Sequence, residues 1–236
     1  MSENEITKEI VITSHNNEVQ VALLEDKKLV EIHSEKASSQ FSVGDIYLGK
    51  VRKIMPGLNA AFVDVGSEKD AFLHYLDLGV HARTVNAFVS QAITTGKRSI
   101  SRVQYLEDVP KNGKISDVLT SGQQIMVQVA KEPISTKGPR ITTEISFAGR
   151  YLVLVPFGDK VSVSQKIRST AERKRLKSLV QGIKPRNFGV IIRTVAENKS
   201  VEELSSDLDQ LRYKWDTAVE NLFASKAPMR IIQEMD

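Results

Sequence analysis

Cysteine is missing from all 236 residues, so the chain can hold no disulfide and no thiolate-bound zinc. Its four histidines, His15, His33, His74 and His81, lack ligand spacing such as H-x-x-x-H and read as ordinary side chains. No apolar run approaches the ~18 residues of a membrane-spanning helix. The opening MSENEITKEI is polar and lacks the apolar stretch of a secretory signal, so a cytoplasmic chain is the default expectation. There is no Ser-His-Asp order, no P-loop and no G-x-G-x-x-G. Asp64 and Asp70 do not make a metal pair. One lies in a strand and the other opens the next, so a surface turn explains both.

What is present is a chain of one to three small domains, 41% hydrophobic and able to bury real cores. Net charge is only +4 but is unevenly spread. Lys160 to Arg193 holds ten Lys or Arg against a single acid, Glu172. Such a block suits an anionic partner, or is simply a solvated helix face.

Residues 9 to 36 alternate apolar and polar side chains and predict hairpins turning at His15-Asn16-Asn17 and Glu25-Asp26-Lys27. After the polar linker SEKASSQFS, strands are expected at about Ile46–Ile54, Asn59–Val65, DAFLH, GQQIMVQVAKE and PRITTEIS. An excursion from about Leu76 to Thr120 separates the third from the fourth and allows a helix from Thr84 to Thr95, closed by Gly96. Five short strands with that interruption predict a small closed barrel of the OB type. The last third predicts strands at RYLVLVP and FGVIIRT. A helix opens on the capping box Ser169-x-x-Glu172 and stops at Gly182. A second opens on Ser200-x-x-Glu203, with an apolar stripe of Leu204, Leu208, Leu211, Trp215 and Leu222. Trp215 is therefore assigned to the core. The class is α+β.

Strand phase picks out the first candidate site. Ala61, Val63 and Val65 share the expected barrel interior, which turns Phe62 outward beside Asp64. An outward aromatic on an OB sheet is a base-stacking platform, unless another domain covers it. Lys131 and Lys137 flank the loop AKEPISTKGPR, one that OB barrels use for oligonucleotides; plain surface lysines are the competing reading. The strand GVIIRT delivers Arg193 and Thr194 together, a guanidinium fork beside a hydroxyl, which suits a phosphate. Gly149 offers a close backbone approach for the same anion. Arg193 pairing with Glu197 is the alternative.

Three blocks in register resemble the bacterial ribonuclease E/G family: IYLGKVRKIMPGLNAAFVDVGSEKDAFLH, GQQIMVQVAKEPISTKGPRITTEISFAGRYLVLVP and FGVIIRTVAENKSVEELSSDLDQL. The likeness runs from about Glu9 to the last residue and is to the amino-terminal part of the family, leaning to the ribonuclease G type. It implies a first segment of an RNase H-like subdomain (1–39), an inserted five-stranded S1-type OB barrel (40–143) and an α/β 5′-sensor subdomain (144–236). It also implies that Phe62 and Phe72 stack RNA and that Lys131 and Lys137 contact it. Arg193, Thr194, Gly149 and Val153 would line a 5′-monophosphate pocket. Gln165-Lys166 departs from the two basic residues common in relatives. The implied parent is an endoribonuclease that cuts single-stranded RNA, 5′-monophosphorylated RNA being preferred. Its Mg2+-holding aspartates would lie beyond Asp236, which makes this chain RNA-binding but inactive, with no cofactor of its own. A homo-oligomer is expected of the full enzyme. If the rest of the RNase H-like sheet is missing, residues 1–39 carry exposed strand edges that pair with other chains or fray. A non-catalytic S1-type RNA-binding protein and a scaffold for protein partners are the other classes considered.

Overall fold

The computed structural model describes residues 6–15, 18–36, 41–96 and 99–234, and the chain divides into two compact units, 1–40 and 41–236. The first unit is an antiparallel meander of β1 (Lys8–His15), β2 (Glu18–Glu25) and β3 (Lys28–Lys36). Its second turn places Asp26 and Lys27 at φ 49° and 64°, the primed geometry that matches strand twist. Asp26 fixes this turn by accepting from the Thr7 N–H at 3.0 Å. The Asn16-Asn17 turn lies outside the described residues. Ile10, Ile12, Leu29, Val30 and Ile32 are all exposed, so alternation made the strands but leaves both faces apolar and open.

The second unit begins with a barrel of five strands: β4 (Ile46–Met55), β5 (Ala60–Asp64), β6 (Ala71–His74), β7 (Gln124–Lys131) and β8 (Arg140–Thr142). The order β4-β5-β6-β8-β7 closes because β4 also pairs with β7. Val51, Ala61, Val63, Val65, Leu73, Ile125 and Val127 fill the interior. The eighth strand is shorter than PRITTEIS suggests. Between β6 and β7, α1 (Ala82–Thr95) starts two residues before Thr84 and ends at Gly96, whose φ of 67° needs a residue without Cβ strain.

The remainder is a four-stranded sheet, β11-β12-β10-β9, made of β9 (Phe147–Ala148), β10 (Leu152–Pro156), β11 (Val161–Val163) and β12 (Phe188–Ile192). Two helices accompany it, α2 (Thr170–Ile183) and α3 (Val201–Leu222), and β13 (Met229–Ile232) returns to pair with β4. The α3 capping box is complete, with Ser200 and Glu203 bonding each other's backbone. That of α2 is half made. Ser169 accepts from the Glu172 N–H, while the Glu172 carboxylate turns to Arg175. Gly182 does not stop α2; the helix runs on to Ile183 and breaks at Lys184, which precedes Pro185 and is driven to extended φ,ψ.

Trp215 is 1% exposed, ringed by Phe88, Phe147, Phe157 and Phe188 at centroid distances of 5.9, 6.3, 5.7 and 6.0 Å. That core also takes Ile46, Leu48 and Met126 from the outer face of β4 and β7. One barrel wall is thus buried on both sides, fixing the barrel to the sheet.

Candidate nucleic-acid interface

Phe62 and Phe72 are register partners across β5 and β6, with ring centroids 5.9 Å apart and planes at 65°. Both are half-buried and lie on the side of the strands opposite the packed Val63 and Leu73. Period-2 alternation puts them there: each flanks an interior residue and must face out. His74 extends the row, its ring 6.4 Å from that of Phe72. Phe62 and Phe72 line an open cavity of about 810 Å³ with Lys69, Lys131, Lys137 and Arg140. Lys131 and Lys137 are exposed, at the end of β7 and in the β7–β8 loop. Asp64 is held by Arg52 at 2.6 Å and by the Gly66 N–H at 2.9 Å, the turn role given to it above.

Two elements of this cavity were not anticipated. Arg140 sits beside Phe72 in parallel pairing and is gripped by both oxygens of Asp77 at 2.9 Å. That contact raises its already high pKa and fixes the guanidinium plane. Gly138 allows its loop to close on β6, since a Cβ there would stand 2.2 Å from the Asp70 carbonyl oxygen. Both depend on contacts far apart in the chain, and only a Gly in a lysine-bearing loop hinted at them.

The second cluster lies at one end of the four-stranded sheet. Arg193 and Thr194 follow β12 and are exposed. The Arg193 Nη1 donates to the Gly149 carbonyl, not to Glu197. Thr194 Oγ1 lies 3.1 Å from Ser164 Oγ, and Arg173 Nη1 donates to the Ser164 carbonyl at 2.8 Å. Val153 is mid-strand in β10, paired to Ala148 and Ile191, half-buried on the sheet face that Ile191 leaves open. The Gly149 N–H is not free; it donates to the Leu152 carbonyl at 2.8 Å.

Gly149 instead admits a carboxylate. A Cβ there would meet both oxygens of Asp207 at 2.7 Å. From α3, Asp207 accepts the N–H groups of Arg150 at 3.0 Å, Tyr151 at 2.9 Å and Leu152 at 2.9 Å. This 8%-exposed side chain locks the turn whose carbonyl holds Arg193. Its signal in the sequence was an acid three residues after Leu204, on the edge of the apolar stripe. Tyr151 is flanked by two cations, Arg150 and Lys199, each 5.3 Å from its ring centre.

The arrangement offers two aromatic faces with loop cations in one place, and a guanidinium and hydroxyl in another. Among the described residues no group of three or more His, Cys, Asp or Glu could hold a metal ion. No helix of the described residues is long and apolar enough to cross a membrane.

The ribonuclease E/G family pattern matches residues 146–236. Over 222 residues, 94% of the chain, the sequence is 38% identical to ribonuclease G of Haemophilus influenzae, covering 41% of that protein. Ribonuclease G of Escherichia coli strain K12 is 38% identical over 215 residues, 91% of the chain and 40% of the relative. Ribonuclease E of Nostoc sp. is 34% identical over 225 residues, 92% of the chain and 29% of the relative. The chain therefore spans about two fifths of the length of the ribonuclease G relatives it matches.

Proposed function

We propose, from the premise that this chain belongs to the ribonuclease E/G family, that it is the RNA-recognising portion of a single-strand-specific endoribonuclease. In this reading residues 40–143 are an S1-type barrel inserted after a first RNase H-like segment (1–39), and 144–236 are a 5′ sensor. Bases of single-stranded RNA stack on Phe62 and Phe72, while Lys131 and Lys137 meet the flanking phosphates. Arg193 and Thr194 hold a terminal 5′-monophosphate, with Gly149 and Val153 shaping the pocket and Asp207 keeping Arg193 in place. Hydrolysis itself, with its Mg2+, is assigned to residues outside this chain, which binds RNA without cutting it. The whole enzyme is placed in the cytoplasm as a homo-oligomer.

The observation that carries this reading is the pair Phe62 and Phe72, directly opposed and open on the outside of the barrel above two loop lysines. Stacking is worth about 1–3 kcal/mol per base. Phe62→Ala should then weaken 5′-monophosphate and 5′-hydroxyl RNA alike, by roughly tenfold. Arg193→Ala should weaken only the monophosphorylated RNA. Unchanged affinity in the Phe62 variant returns that ring to a structural role; equal losses on both RNAs in the Arg193 variant remove the sensor.

A further inference from the structure

The basic block from Lys160 to Arg193 is only partly used by the pocket. Most of its cations lie on or beside α2. This helix buries Leu176 and Val180. Its opposite side presents Lys174, Lys177, Ser178 and Gln181, all exposed. Their i, i+3, i+4, i+7 spacing makes them one stripe. The only acid on α2, Glu172, is engaged elsewhere: Arg175 holds both its oxygens at 2.7 Å, and the Asn198 N–H donates to it at 2.8 Å. Among the described residues neither Lys174 nor Lys177 has a carboxylate within ion-pair distance. Both lysines are exposed and share a surface hollow with Ser178, Gln181 and Gly182, none of them charged.

The helix that carries the stripe is also tied to the proposed phosphate site. Arg173, next to Lys174, donates to Ser164, whose hydroxyl meets Thr194. Exposed Arg168 falls between Ser164 and α2 in the sequence. We infer that Lys174 and Lys177 form a phosphate track on α2 that grips the backbone of an RNA whose 5′ end occupies the pocket. Two point charges without an aromatic neighbour hold phosphates and do not read bases. The inference rests on the RNA-binding reading above. An acidic protein would match the same charge, but the link through Arg173 and Ser164 to Thr194 favours RNA.

The test compares Lys174→Gln/Lys177→Gln with the equal charge change Lys111→Gln/Lys114→Gln, two exposed lysines in the segment before β7. Binding is measured to 12-nucleotide oligouridylates bearing 5′-monophosphate or 5′-hydroxyl, and to a 5′-monophosphorylated trinucleotide, between 50 and 300 mM salt. Losing two single-strand phosphate contacts lowers the slope of log K against log salt by about 1.4 and the affinity at 0.1 M salt on the order of tenfold. That loss is expected for both 12-mers, much less for the trinucleotide, and not for the control variant. An unchanged slope, or an equal loss in the control, overturns the track. If Phe62→Ala and Arg193→Ala still show their own losses in that case, the proposed function stands without it. If neither does, that reading falls separately.

Discussion

Asp207→Asn isolates the buried carboxylate beneath the proposed phosphate site. In the native chain Oδ2 takes the Tyr151 and Leu152 N–H groups and Oδ1 takes that of Arg150. Asparagine keeps the shape but has a single acceptor oxygen. That oxygen can serve the Tyr151 and Leu152 pair, which leaves the Arg150 N–H facing an amide NH2. One charge-assisted bond is lost, about 1.5–3 kcal/mol, and the other two drop to neutral strength, about 1 kcal/mol each. The sum is about 4 kcal/mol. With a urea m-value of about 3 kcal/mol/M, the midpoint should fall by about 1.3 M. The turn at Gly149 loosens, and with it the carbonyl that anchors Arg193. Under conditions where the variant is fully folded, its preference for 5′-monophosphate over 5′-hydroxyl RNA should shrink while binding of the hydroxyl RNA holds. A midpoint shift below about 0.2 M would refute the hydrogen-bond reasoning. Parallel loss on both RNAs would refute the link to Arg193.

Other consequences are as direct. Arg175, and then the Asn198 N–H, hold Glu172 at a pKa of about 2 against an ordinary 4.5. A carboxyl depressed in the folded chain stabilises it fully above the ordinary value and loses that contribution as pH falls toward 2. Glu172→Gln should flatten this acid limb in urea midpoints measured at pH 5.5 and pH 3; identical limbs would contradict it. Gly138→Ala forces a Cβ against the Asp70 carbonyl and should push the Lys137 loop away from β6, weakening both RNAs; wild-type affinity would show that the loop yields without cost. Trp215→Ala empties the centre of four phenylalanine rings and should cost about 3–5 kcal/mol in urea unfolding, a loss under 1 kcal/mol meaning that the rings collapse inward.

Periodicity made part of this molecule readable in advance. The stripe from Leu204 to Leu222 has one solution as a helix, and Trp215 falls inside it. Phe62 faces out because Ala61 and Val63 cannot. Arg193 and Thr194 are neighbours in sequence, so their joint arrival at a strand end needed no tertiary knowledge. Asp207 and Gly149 are different, because their approach depends on how α3 crosses the sheet, and no local pattern encodes that. The same holds for Arg140 with Asp77 and for Ser164 with Thr194. The end of α2 was misjudged for a local reason: Gly182 drew attention, while Pro185 set the stop. The close approach that Gly149 offers is taken up by Asp207, while its own N–H is spent on the Leu152 carbonyl.

β13, late in the sequence, adds itself to β4 at the start of the barrel and seats Ile231 in the core that also holds Trp215. The proposed platform and phosphate site thereby belong to one compact unit, tied together by this strand. In the proposed reading, the gap between them would then act as a ruler. Oligonucleotides too short to reach from one end of it to the other should gain no avidity from carrying both features, and affinity should rise in a single step once the strand is long enough.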